Sequence, residues 1–487
     1  MTPRLMHRRT FLARLGGQAA ASALCARALA GEKPPMPRPN ILLIITDQQH
    51  AGMMSCAGNR YVKTPNMDSL AATGTRFERA YCSNPVCVPS RFSLLSGVMP
   101  SRIGMEHNGH QPNPVPEPIL RHGMGALLRA AGYATAYGGK THIPGAKGRP
   151  NTVADYGFDE VLTRDERDGL AQAAADFLRR SHDKPFLLVA SFINPHDICY
   201  MAIDDHARSQ GKPIKETIER RCLAEALALP DGMSREAFFR EVCPPLPPNF
   251  GIPEGEPEAV EKTDWRPFRP YARQRWSEET WRLHRWAYAR LTQRVDAEIG
   301  RVLQALRESG READTLVVFT SDHGDMDAAH RLEHKSMLYE EACRIPLILS
   351  WRGVTRPGAV DRQHLVSNGL DLIPTLCDYA GIAPPPELKG RSIRPLADGP
   401  MPDTWRTSLV VENERSRLVL WDHLKYGVYD TGERRELLLD LHSDPGEMKN
   451  RATDPACRAQ VETGRRLLLQ WCREHGETLA EAYIVKS

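Results

Sequence analysis

The chain has 487 residues, a formal net charge of +3 and 41% hydrophobic residues, the make-up of an ordinary globular protein with enough sequence for a large core. Its charges are interspersed, so the mild basicity carries no sign of a nucleic-acid partner. Length as such admits about three domains, although large α/β enzymes place most of such a length in one.

Residues 1–30 read as a targeting segment and are set apart from the fold. Arg8-Arg9-Thr10-Phe11-Leu12 precedes an alanine-rich run that ends in Ala28-Leu29-Ala30, the pattern of a secretory leader. The paired arginines resemble a twin-arginine signal with cleavage after Ala30. Arg27 interrupts the run, which is too short for a stable membrane span. Leu24-Cys25 is a poor lipobox. The expectation is a bacterial protein, periplasmic or secreted, carried by the twin-arginine export machinery. Of eleven cysteines, ten remain after leader removal and none forms C-x-x-C, which is not a zinc pattern.

After a Pro-rich linker, Asn40 to Thr46 is a continuous apolar, β-branched run, as in a strand buried on both faces. Asp47 and Gln48 follow at its carboxyl end. Thr64-Pro65 predicts an N-cap and first helical residue, and Gly74 the stop. Cys87, with Pro89 two residues on, belongs where a loop enters a helix, since proline suits a first turn. Such a cysteine is most often a small buried residue. A thiol at a helix start beside Arg91 is also where anions bind and nucleophiles are activated. Met124 to Ala131 predicts a helix closed by Gly132, and Tyr133 to Tyr137 a strand leading to Gly138-Gly139-Lys140-Thr141-His142. Two more strands end the same way: Phe186 to Phe192 before Asn194-Pro195-His196, and Thr315 to Thr320 before Ser321-Asp322-His323-Gly324-Asp325. Each polar set alone is ordinary turn chemistry. Four of them at strand ends imply convergence, because a parallel α/β sheet places its site beyond the carboxyl ends of its strands.

Residues 200–275 read as an insertion of surface structure near the mouth of the site. Ser277 predicts the cap of a long helix, with Glu278 and Glu279 in its first turn and Gly310 as its end. Trp276, Trp281 and Trp286 are expected in packing rather than as a sugar platform. Leu347 to Ser350 predicts another buried strand and Gly369 to Ala380 a helix. Beyond Pro384-Pro385-Pro386 come short strands at Ser408 to Glu412, Leu418 to Trp421, Tyr426 to Tyr429 and Leu437 to Leu441, then a helix from about Pro455 to His475. The fold class expected is α/β: a large mixed, mostly parallel sheet sandwiched by helices, plus a smaller C-terminal antiparallel sheet with a terminal helix. The division expected is 36–395 for the catalytic α/β domain and 396–487 for the C-terminal subdomain.

Cys87, Pro89, Ser90, Arg91, Leu95 and Gly97 fill every fixed position of C-x-P-S-R-x-x-x-L-x-G, and this stretch resembles the signature of the type I sulfatases of the alkaline phosphatase superfamily. Gly132-Tyr133-x-Thr135-x-x-x-Gly139-Lys140-x-His142 matches the family's second signature. His330, Leu332 and Lys335 resemble its H-x-L-x-x-K segment, and His196 its histidine near the leaving-group oxygen. Both signatures in order with these segments supply the context that a motif match requires.

The resemblance implies a sulfuric ester hydrolase in which a formylglycine-generating enzyme converts Cys87 to Cα-formylglycine. It implies one calcium ion held by Asp47, Gln48, the residue at 87, Asp322 and His323. Most relatives have a second Asp where this chain has Gln48, and many have Asn in place of His323; an amide oxygen remains a legitimate hard ligand. The implied roles are a geminal diol as nucleophile at 87, Lys140 and Lys335 on the sulfate oxygens, and His196 protonating the departing alcohol. His142 would deprotonate the second hydroxyl to expel sulfate, and Arg91 would orient the diol and metal shell. The substrate expected is a sulfated small molecule or saccharide, with carbohydrate favoured by analogy. The alternatives are a phosphonate monoester hydrolase or phosphodiesterase of the same superfamily, which can also carry Asp-Gln after the first strand, and a non-catalytic binder of the same fold with unmodified Cys87. A zinc phosphatase of the broader fold is disfavoured by Cys87 itself. His107, Asn108 and His110 are read as surface loop residues.

Overall fold

The computed structural model describes residues 38–484 apart from Glu106, 110–113, 145–151 and 262–265. Residues 1–30, expected as a targeting segment, and His110 lie outside the described residues. Residues from Pro39 onward form one compact unit.

The apolar run at the start of that unit is β1 (Asn40–Asp47), with Ile41 to Ile45 all 0–1% exposed. Five consecutive buried aliphatic side chains require a sheet covered on both faces, each burial contributing about 1.5–3 kcal/mol. The other strands in this half are β2 (Thr75–Phe77), β3 (Ala80–Tyr81), β4 (Ala134–Gly139), β5 (Glu160–Thr163), β6 (Phe186–Pro195), β7 (Thr315–Ser321), β8 (Leu347–Ser350), β9 (Ala359–Asp361) and β10 (Val366–Ser367). The large sheet has the order β5-β4-β6-β1-β7-β8-β2-β9, and β3 pairs separately with β10. Pairing is parallel except at β8, which runs antiparallel to β7 and β2. The sheet is therefore mixed and mostly parallel, as expected from the sequence.

Alternation along β1 sorts its side chains to two layers. Ile41, Leu43 and Ile45 pack with Phe92, Leu128 and Leu372, so the helices Cys87–Ser96, Met124–Ala130 and Asn368–Tyr379 cover one face. Leu42 and Ile44 pack with Met67, Leu178 and Val302, so Pro65–Thr73, Leu170–Arg179 and the long helix Glu278–Glu308 cover the other. Ser277 caps the long helix, its side chain accepting from Thr280 N. Thr64 occupies the cap position of Pro65–Thr73 but makes no side-chain cap bond. That role falls to Asp296 of the long helix, whose carboxylate accepts from Asn66 N (3.2 Å) and Met67 N (2.9 Å). A buried carboxylate from a neighbouring element satisfies two orphan amides where a threonine could satisfy one.

Residues 200–275, expected as inserted surface structure, form helices at Cys199–Ser209, Ile218–Leu227, Arg235–Glu241, Glu258–Glu261 and Phe268–Arg275. Phe238 and Phe239 pack on Trp286, and Cys222 and Leu223 on Leu291, because the long helix is apolar beyond the width of one face. Trp281 and Trp286 are buried, and Trp276 stacks edge-on against Trp281 with its indole N–H on Asp205, so the tryptophans do serve packing.

The second sheet is antiparallel in the order β11 (Ser408–Asn413), β12 (Ser416–Trp421), β13 (Leu424–Tyr429) and β14 (Glu436–Asp440). One face packs on Leu338 and Tyr339, and the other on the terminal helix Arg458–His475 through Val461, Leu468 and Cys472. All ten cysteines among the described residues are free thiols, and no described helix is long and apolar enough to cross a membrane.

Candidate active site

Cys87 is the first residue of its helix. Val86 before it is extended, and Pro89 sits in the first turn where its missing N–H costs nothing. The amide of Val88 donates to Asn108 Oδ1 at 2.9 Å, so Asn108, read from the sequence as a loop residue, fixes the start of this helix. Ser90 Oγ donates to the Asp322 carbonyl at 2.5 Å. Gly139, at φ +87°, closes the end of β4 against β6: a Cβ there would lie 2.2 Å from the Ser191 carbonyl oxygen. That approach lets Lys140 N bond the same carbonyl at 2.8 Å.

Arg91, 2% exposed, ties four strand ends together. Its guanidinium donates to Asp47 Oδ2 after β1 (2.8 Å), Asp322 Oδ2 after β7 (2.8 Å), Ser191 Oγ in β6 (2.7 Å) and the Lys140 carbonyl after β4 (3.1 Å). A planar fork with five donors is the side chain able to do this, and burial among ion pairs makes each bond count. Ser191 had no motif to mark it.

The thiol sits inside a ring of charge. Cys87 Sγ lies 3.2 Å from His323 Nε2, 3.9 Å from Asp47 Oδ1 and 2.9 Å from Lys335 Nζ. Lys140 Nζ lies 2.8 Å from Asp47 Oδ2, and His196 Nε2 lies 4.0 Å from Asp47 Oδ1. The imidazoles of His142 and His196 both interact electrostatically with the thiol group. All ten residues singled out from the sequence therefore fall in one cluster. Burial raises the Cys87 pKa, but Lys335, Lys140 and His323 outweigh it and hold the thiol well below its ordinary value. The sulfur marks a place where this fold binds negative charge.

Burial and the Cys87 charge push the Asp47 carboxyl up, while Lys140, His196 and Arg91 outweigh them and leave it well below the usual range. Burial and the Asp47 charge push Asp322 up to about 6. In that pair Asp47 carries the firmer charge. Burial, Lys140 and Lys335 press His196 down to about 3, so it rests neutral.

The donor set fits a hard divalent cation. Ligand atoms of Asp47, Cys87, Asp322 and His323 all lie within 4.8 Å of one another. His323 Nδ1 is engaged by the Gly324 carbonyl at 2.9 Å, which leaves the Nε2 lone pair facing the cluster. Gln48 Nε2 donates to Asp325 Oδ2 at 2.7 Å, and its Oε1 is buried without a partner among the described residues. An orphaned amide oxygen beside two carboxylates is what an oxygen-seeking cation requires. Asp325, to which the sequence assigns no role, is the residue that sets that orientation. An open cleft of about 560 Å³ between Gly97–Arg102 and the His475–Gly476 turn shares none of these residues.

A mostly parallel sheet whose carboxyl edge gathers carboxylates, lysines and histidines around a helix-borne cysteine is the build of an alkaline-phosphatase-like hydrolase. The chain belongs to the sulfatase family, the sulfuric ester hydrolases: the Sulfatase family model matches residues 39–382, and that for the N-sulphoglucosamine sulphohydrolase C-terminal region matches 328–471. It is 28% identical to a Delta 4,5-hexuronate-2-O-sulfatase of Bacteroides thetaiotaomicron, over 92% of this chain and 90% of that protein. A solved 2-O GAG sulfatase superposes with a TM-score of 0.75 at 27% identity, over 91% of this chain and 93% of that one. The Phosphonate Monoester Hydrolase of Agrobacterium radiobacter shares the fold, with a TM-score of 0.69 at 22% identity over 90% and 96% of the two chains.

Proposed function

We propose that this chain hydrolyses sulfate monoesters of carbohydrates, using a formylglycine made from Cys87 by a formylglycine-generating enzyme and one bound calcium ion. The observation that carries the reading is the ring around Cys87: four candidate metal ligands within 4.8 Å of one another, flanked by Lys140 and Lys335. The hexuronate-2-O-sulfatase and 2-O GAG sulfatase relatives support a sugar as the alcohol. Hydrated formylglycine would supply two geminal hydroxyls; Asp47, Gln48, residue 87, Asp322 and His323 would hold the calcium, which would supply positive charge favouring the ionised diol.

The chain's own residues do the rest. Arg91 holds Asp47 and Asp322 rigid so that neither must reorganise during the reaction. Lys140 and Lys335 flank the position of residue 87 and receive the sulfate oxygens. His142 takes the proton of the second hydroxyl as sulfate leaves. His196, neutral at rest, becomes able to carry a proton to the departing alcohol once a sulfate anion offsets Lys140 and Lys335. The division at 395/396 belongs to this proposal, supported by the two separate sheets. So does export through a twin-arginine leader to the periplasm or beyond.

Two measurements test the reading. Peptide mass analysis of protein made in a host with the generating enzyme should find residue 87 converted, and nitrophenyl sulfate turnover should fall when calcium is chelated. Residue 87 wholly alkylatable as cysteine would favour the non-catalytic binder. Asp47-Gln48 keeps the phosphonate monoester hydrolase as a second reading, and a strong preference for a phosphonate over nitrophenyl sulfate would establish it.

A further inference from the structure

Behind Lys335 lies a group of charges that the reaction does not use. Arg269, on the helix Phe268–Arg275, is 1% exposed. Its Nη2 donates to the Lys335 carbonyl, while its Nε and Nη1 have no partner among the described residues. Arg266 Nη1 is buried and equally unpartnered among them. Glu333 is fully buried, and neither of its oxygens bonds either guanidinium. His334 lies between this group and Lys335 in the chain: its Nδ1 is 3.9 Å from Glu333 and its ring packs edge-on against Phe268 at 5.3 Å.

Burying a guanidinium with open donors is costly unless a counter-charge arrives. The charges here are those of a site awaiting one. Burial and the Arg266 charge press Arg269 down to about 10. Burial pushes Glu333 up to about 8, against the pull of Arg269, so at neutral pH it is largely a hydrogen-bond donor rather than a counter-ion. Lys140 and Lys335 are assigned to the reacting sulfate; these two arginines are surplus to it. Two guanidinium forks suit a planar or tetrahedral oxyanion better than a sugar hydroxyl.

We propose that Arg266 and Arg269 form a second anion subsite, behind Lys335, that receives a carboxylate or a further sulfate borne by the alcohol part of the ester. This rests on the sulfatase reading and narrows its substrates to esters of anionic sugars.

The test compares the matured wild type with Arg266→Gln and Arg269→Lys on three substrates: a hexuronate 2-sulfate, a disulfated glucosamine and a neutral hexose monosulfate. The wild type should prefer an anionic ester, and the preference for anionic over neutral, as a ratio of kcat/KM, should fall about tenfold or more in each variant, mainly through KM. The two anionic arms separate carboxylate from sulfate. An unchanged ratio, whether all rates fall together or none falls, overturns the proposal; Arg266, being partly exposed, is the variant least exposed to misfolding. Wild-type protein that turns over no sulfate ester would instead defeat the underlying sulfatase reading. Calorimetry with unsulfated hexuronate then still decides the subsite: binding weakened in Arg266→Gln supports it, and equal binding overturns it.

Discussion

In the C-terminal sheet Lys425, wholly buried, lies 2.5 Å from Glu447 and 3.1 Å from Glu340, and Arg417 lies 3.2 Å from Glu477. At the carboxyl edge of the large sheet Lys335 faces a thiol, and Lys140 shares one carboxylate with Arg91. Both regions bury cations. The first supplies each with an acid from a neighbouring loop or helix, so the charge is complete within the chain and serves the fold. The second leaves cations in excess, with Gln48 Oε1, Arg269 and Glu333 carrying open hydrogen-bonding atoms. Such a group is stable only as part of a larger object, and the missing part is a ligand.

If that contrast is correct, variants at the large-sheet edge lose activity and those in the C-terminal sheet lose stability. Cys87→Ala should lower kcat/KM on nitrophenyl sulfate by about four orders of magnitude or more, with an unchanged circular dichroism spectrum. Lys140→Ala or Lys335→Ala should cost about 10²–10³ in kcat, with denaturant midpoints at or above wild type; a large stability loss would place these lysines with the structural pairs. Lys425→Met strands Glu447 and leaves Glu340 with Arg344 and Tyr81, and urea titration should show a loss of about 3–5 kcal/mol.

Glu333→Gln sharpens the comparison through pH. The folded pKa of Glu333, about 8, lies above the unfolded value near 4.5. The folded state thus holds a proton that the unfolded state has released. Its contribution is complete below about pH 4.5 and is lost as pH rises through 8. The glutamine variant should gain on wild type by about 1 kcal/mol or more between pH 5 and 9, and parallel stability curves would argue against an uncompensated acid. The smallest effect expected is for Asp296→Ala, which removes the borrowed cap of Pro65–Thr73 and should cost about 1 kcal/mol in a thermal melt.

Much of this molecule can be read before it is folded. The long apolar strands β1, β6 and β7 announced themselves because burial on both faces leaves no polar alternation. Their polar ends followed from the rule that parallel sheets expose a site at their carboxyl edge. β2, β3, β9 and β10, of two or three residues each, were not legible: such segments have no periodicity, and long-range pairing alone makes them strands. Asn108, Ser191, Asp325 and Asp296 escaped for a related reason. Each is an ordinary polar residue whose work depends on a partner far along the chain.

By itself the sequence determined the helix that begins at Cys87, the four strand ends and the identity of the charged groups, since these depend on local chemistry and on the order of motifs. Only the tertiary structure decided that one guanidinium, Arg91, binds all four ends together. It alone showed that Gln48 presents its oxygen and Asp325 holds its nitrogen, and that Arg269 and the Nη1 of Arg266 stand buried with donors unpartnered among the described residues. Those facts are distances between residues remote in the chain, and burial, which no composition or spacing encodes, sets their energetic weight.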